Sequence, residues 1–60
     1  MKTYFELREE LYKWSNHYDA ELSHIMADKL ITEVALHTEL TKEQRIELVN
    51  LYNATEKWYA

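Results

Sequence analysis

The residues Thr41-Lys42-Glu43-Gln44 form a capping box, a four-residue signature that opens a helix. The Thr41 hydroxyl can accept a hydrogen bond from an early backbone N–H, and the Gln44 side chain can reach back to the cap. Thr3-Tyr4-Phe5-Glu6 repeats the signature near the first residue. Glycine and proline, which supply most tight turns and hairpins, are both absent. The sequence therefore predicts an all-α protein with helices beginning at Tyr4 and Lys42.

Apolar spacing places a further helix between the two boxes. At about 100° per residue, one stripe of the first helix carries Tyr4, Leu7, Leu11, Trp14 and Tyr18. A second stripe, rotated by roughly 150° if the helix is continuous, carries Met26, Ala27, Leu30, Ile31, Val34 and Ala35. One straight helix cannot point both stripes at one core, and Ser23 offers a hydroxyl cap between them. We therefore predict a small three-helix bundle with helices at about 4–20, 24–37 and 42–58 and a loop centred on Thr38-Glu39-Leu40.

The alternative architecture is a helical hairpin in which residues 4–36 form one helix roughly 50 Å long. The last helix would then cover only its second half and leave much of the first stripe bare, so the hairpin would have to dimerise. Both architectures are a single helical domain spanning 1–60, because 60 residues and 7.3 kDa support one small core.

Charge and composition exclude several classes of function. Seven Lys and Arg against eleven Asp and Glu leave a net charge of −4, which disfavours attraction to phosphate backbones, so nucleic acid is not an expected partner. The lack of cysteine removes disulfides, thiolate nucleophiles and cysteine-ligated zinc. No apolar run approaches the roughly 18 residues of a membrane span, and Met1-Lys2-Thr3-Tyr4 does not resemble a secretory signal. We expect a cytoplasmic location without a membrane partner.

The histidines are the starting point for any reading as an enzyme or a metal protein. If the first two helices were continuous, spacings of four, three and four would place on one face His17, Glu21, His24 and Asp28. Glu21 to His24 matches the Glu-x-x-His element of carboxylate-bridged metal bundles, but such bundles draw further ligands from other helices. The last helix offers no histidine, only Glu43, Glu47 and Glu56. We interpret the set as a solvated polar stripe and predict no metal and no cofactor.

Nucleophilic catalysis needs a base and an orienting third group beside the nucleophile. Ser15 and Ser23 lie near histidines only along the chain, and phosphate-binding loops need the glycine that this sequence lacks. We predict that the protein is not an enzyme.

Aromatic residues make up 13% of a chain with little interior to hold them. Phe5 and Tyr12 lie nearly opposite the Leu7 stripe, so a single core cannot take both sets. On the last helix, Ile46 and Val49 fall outside a predicted core stripe of Leu48, Leu51, Tyr52, Thr55, Trp58 and Tyr59. Tyrosines that merely fill the corners of a small core are the alternative explanation. The predicted partner-binding residues are Phe5, Tyr12, Trp14, Tyr18, Ile46 and Val49, with Trp14 as the strongest single anchor.

These features together predict a non-enzymatic protein–protein interaction module. It would be a small helical adaptor, inhibitor or antitoxin-like regulator that docks an aromatic helix face on a larger protein, on a second copy of itself, or on both. Short acidic chains without cysteine are common among virus-encoded regulators, so we also expect this protein to be encoded by a virus. The alternative is a small dimeric regulatory protein associated with DNA or a metal ion.

Overall fold

The computed structural model describes residues 1–55, which fold into three helices: α1 (Tyr4–Ser15), α2 (Ala20–Leu36) and α3 (Lys42–Ala54). Each helix packs against the other two. The predicted all-α three-helix bundle is confirmed. The chain breaks between α1 and α2, so the long-helix hairpin is wrong.

Both predicted capping boxes are present, and they fix where α1 and α3 begin. The Thr3 hydroxyl accepts a hydrogen bond from Glu6 N at 3.2 Å, while the Glu6 carboxylate accepts from Thr3 N at 2.9 Å. Thr41 and Gln44 exchange the equivalent pair of bonds, each at 3.1 Å. Each box satisfies two backbone N–H groups that have no partner inside the helix.

The break between α1 and α2 lies earlier than predicted. α1 ends at Ser15 and α2 begins at Ala20, so the boundaries near residues 20 and 24 and the Ser23 cap are wrong. Asp19 is the true cap, and its carboxylate accepts from Leu22 N at 3.1 Å. Ser23 instead lies inside α2 and is buried, on the same face as Ala27.

The buried apolar side chains form one core between the three helices: Leu7, Leu11, Ala27, Leu30, Val34 and Leu48. The Leu7 stripe is therefore the core face of α1. In the second predicted stripe, Ala27, Leu30 and Val34 are buried and Ile31 packs against the core. Met26 is only partly buried, and Ala35 is exposed. Partly buried residues close the edges of this core: Tyr4, Trp14, Ile31, Leu40, Leu51 and Tyr52.

The predicted stripes of the first and the last helix extend further along the chain than the helices themselves do. Tyr18 is 94% exposed because α1 has already ended at Ser15, so the stripe does not continue to it. α3 ends at Ala54 rather than near residue 58, and Thr55 has extended backbone angles. Trp58 and Tyr59, which were assigned to the core stripe, lie outside the described residues.

Polar contacts close the end of the bundle where the chain turns from α2 to α3. His37 is 6% exposed; its Nε2–H donates to the Lys2 carbonyl at 3.0 Å, and its Nδ1 accepts from Glu39 N at 3.2 Å. The Arg45 guanidinium donates to the carbonyls of Val34 at 2.6 Å and His37 at 2.7 Å. The last turn of α2 has no basic residue of its own, and Arg45 of α3 donates to two carbonyls at this end of the helix.

Candidate protein-interaction surface

An open groove of about 600 Å³ runs between α1 and α3. Phe5 and Tyr12 line it from α1 and are 73% and 63% exposed. They are seven residues apart, two helical turns, and therefore share a face. The remaining lining residues are Arg8, Glu9, Glu47 and Leu51. We call this surface the aromatic groove.

An ion pair at the aromatic groove joins α1 to α3. Glu47 Oε1 accepts from the Tyr4 hydroxyl at 2.6 Å and from Arg8 Nε at 2.7 Å. These two hydrogen bonds, that of Tyr4 first, lower the pKa of Glu47, and the same bond raises the pKa of Tyr4. Glu47 is thus ionised at neutral pH, and the charge of Arg8 is already matched within the protein.

Phe5 lies in the first turn of α1, immediately after the capping box. Its ring meets the Tyr4 ring edge to face, with centroids 5.0 Å apart and planes at 67°. Tyr4 is in turn tied to α3 through Glu47. The capped helix and this ring contact support Phe5 in position at the mouth of the aromatic groove.

Trp14 lies apart from the aromatic groove. It is partly buried against the core, with Lys13 Nζ 4.8 Å from its ring centroid. The His17 ring lies 4.9 Å from it and stacks at 4.6 Å on Tyr18. Trp14 therefore belongs to the packing of the α1–α2 connection, whereas Tyr18 is exposed there.

Ile46 and Val49 form a second, smaller patch on α3. They are 51% and 38% exposed and lie three residues apart on one face. Neither lines the aromatic groove. The structure therefore distributes the six predicted partner-binding residues over three places: the groove, the α1–α2 connection and this patch.

Sequence reasoning missed three exposed apolar residues of α2, namely Leu22, Ile25 and Leu36. The spacing of three and four residues that runs through Ala27, Leu30 and Val34 leaves them outside the buried stripe. That spacing could have predicted the exposure of these three residues.

The candidate metal ligands are divided between two structural networks. Asp28 accepts from the Tyr52 hydroxyl at 2.6 Å, and its other oxygen lies 3.0 Å from His24 Nε2. The His24 side chain is 13% exposed, so the predicted solvated stripe is wrong at that residue. His17 lies in the connection, where its Nδ1 accepts from Asp19 N at 3.1 Å. Within residues 1–55 no three His, Asp or Glu side chains are grouped as metal ligands would be.

None of the helices described is both long and apolar enough to cross a bilayer. Comparison of the chain with protein-family models, with curated proteins and with solved structures finds no match.

Proposed function

We propose that the protein is a non-enzymatic protein–protein interaction module that docks its aromatic groove on a larger protein. In this role it acts as a small helical adaptor, inhibitor or antitoxin-like regulator. The observation that carries the proposal is the exposure of Phe5 and Tyr12 side by side in one groove. Aromatic side chains bury large areas with few rotors to immobilise and are frequent binding hot spots.

The core does not need these two rings. Leu7 and Leu11 are completely buried on the opposite stripe of α1. Trp14 and Tyr4 close the edges of the core. The explanation that aromatic residues merely fill corners thus accounts for Trp14 and Tyr4 but not for Phe5 and Tyr12. Apolar surface left in water beside a groove favours a docking role.

The DNA-associated alternative has less support. Arg45, one of the cations at the start of α3, is directed into the protein, where it donates to the carbonyls of Val34 and His37. A cytoplasmic location, the absence of a membrane partner and a homodimer stay predictions from the sequence.

The experiment is capture of the partner from the source cell, followed by affinity measurements with the purified partner. We expect Phe5→Ala and Tyr12→Ala each to weaken binding by about 2 kcal/mol, or about 30-fold, as hot-spot truncations do. Their melting temperatures should stay close to that of the wild type because both rings are exposed. Ile25→Ala is the control, since it removes an exposed apolar side chain that does not line the groove.

Two results would contradict this proposal. If Phe5→Ala and Tyr12→Ala keep full affinity while Ile46→Ala or Val49→Ala loses it, the smaller patch on α3 is the interface. If light scattering shows a dimer that Phe5→Ala dissociates, the groove joins two copies of the chain and does not face a larger protein.

A further inference from the structure

The aromatic groove carries an unbalanced negative charge at its rim. Of the three charged side chains that line it among the described residues, Arg8 and Glu47 are paired with each other at 2.7 Å. Glu9 is exposed, and among residues 1–55 no cationic group forms a salt bridge with it. It also lines a neighbouring depression with Glu6, Glu10, Tyr12 and Lys13.

Two lysines of the N-terminal part of the chain contact other groups. Lys13 Nζ lies over the Trp14 ring, 4.8 Å from its centroid. Lys2 Nζ lies 3.9 Å from carboxylate oxygens of both Glu10 and Glu33. Among the described residues that line the aromatic groove, Glu9 is therefore the charged side chain without a salt bridge, and a partner can supply one.

The shape of the aromatic groove also restricts its occupant. Phe5 and Tyr12 are about 10 Å apart along α1, at 1.5 Å per residue. A partner helix presents side chains at the same spacing in its own i, i+7 rows, and a third helix can lie in a groove between two others. An extended strand has no exposed sheet edge to join, because the described residues form helices and connections only.

We propose that the aromatic groove binds an amphipathic helix of the partner protein whose apolar ridge is flanked by Lys or Arg, one of which pairs with Glu9. This inference rests on the proposed function and adds the chemistry of the partner. The ridge contacts Phe5, Tyr12 and Leu51, while the flanking cation selects and orients the helix. Glu6 adds negative charge in the neighbouring depression, and its hydrogen bonds with Thr3 lower its pKa.

The test uses three synthetic helical peptides with the same leucine ridge and with Lys, Gln or Glu at the flanking positions. Each is titrated into the isotope-labelled protein, and amide chemical shifts report both the site and the affinity. We expect shifts at Phe5, Tyr12 and Leu51, with the Lys peptide about two- to fivefold tighter than the Gln peptide. The preference should shrink at about 0.5 M salt, where exposed charges are screened.

Variants separate the contribution of charge from that of the rings. Glu9→Gln should remove the preference for the Lys peptide, while Glu21→Gln, an exposed carboxylate on α2, should keep it. Phe5→Ala should weaken all three peptides.

Each remaining outcome decides against a defined part of the reasoning. Equal binding of the three peptides in the groove overturns the basic-helix inference and leaves docking through the groove supported. Shifts that map elsewhere, or no binding, overturn both. Groove shifts that appear on raising the protein concentration without peptide identify a second copy as the occupant and overturn the inference.

Discussion

Replacing Arg45 with alanine removes a side chain of α3 that donates hydrogen bonds to two carbonyls at the end of α2. The guanidinium makes two short hydrogen bonds, 2.6 Å to the Val34 carbonyl and 2.7 Å to the His37 carbonyl. A hydrogen bond to a charged group contributes about 1.5–3 kcal/mol. Water reaches the partly buried site after the substitution and offsets part of the loss. We therefore expect Arg45→Ala to lower the free energy of unfolding by about 2–4 kcal/mol, against a total of about 3–9 kcal/mol for a chain of this length.

Urea denaturation followed by circular dichroism measures this loss. Arg45→Lys should fall between wild type and Arg45→Ala, because one ammonium group cannot reproduce the planar fork that reaches both carbonyls. Lys42→Ala, an exposed cation one turn earlier on α3, is the matched control and should change stability by less than about 0.5 kcal/mol. An Arg45→Ala variant as stable as this control would refute the assignment of Arg45 as the cap of α2.

Three further predictions concern stability. Trp14→Ala should lower the free energy of unfolding by about 3 kcal/mol, the lower end for a buried Trp, because the ring is partly exposed. Tyr12→Ala should lower it by less than about 0.5 kcal/mol, and thermal unfolding of both variants compares the two stripes of α1. Thr41→Ala removes one capping box and should lower the free energy of unfolding by about 1 kcal/mol in urea, with the loss of helix signal greatest in α3. Glu47 has a lowered pKa in the folded protein, so the stability it contributes is present above its ordinary pKa of 4.5 and is lost as the pH falls below it. Glu47→Gln should accordingly flatten the decline of stability as the pH falls below 4.5, and an unchanged slope would contradict the role of the hydrogen bonds from Tyr4 and Arg8.

The parts of the fold that depend on neighbouring residues could be predicted from the sequence. The Thr3 and Thr41 boxes act within four residues, and the buried stripes follow from the helical period. The break before α2 could not be placed, because Asp19 and Ser23 both have capping chemistry and lie within one turn of each other. Periodicity alone does not tell whether a serine caps a helix or is buried inside it.

The polar junction around His37 depends on contacts between residues far apart in sequence. The last turn of α2 contains neither a basic residue nor a following glycine, which indicates that its carbonyls need a donor. Nothing local says that Arg45 provides it. The burial of His37 had a weak signal, since it continues the spacing of Leu30 and Val34.

Only the part of the candidate site that lies on one helix could be predicted from the sequence. The exposure of Phe5 and Tyr12 follows from their position opposite Leu7 on one helix. The groove itself also needs Glu47 and Leu51, which come from α3. The angle at which α1 and α3 pack cannot be read from the sequence of either helix alone.

The backbone angles of the two connections affect the unfolded chain as well as the folded one. No residue in the part of the chain described here has a positive φ, and both connections are made without glycine. Residues with a Cβ sample fewer conformations when unfolded, so ordering residues 16–19 and 37–41 costs less conformational entropy than ordering glycine-rich turns of equal length. Part of the stability of this small bundle thus lies in the restricted freedom of its denatured ensemble, which no contact in the folded structure records.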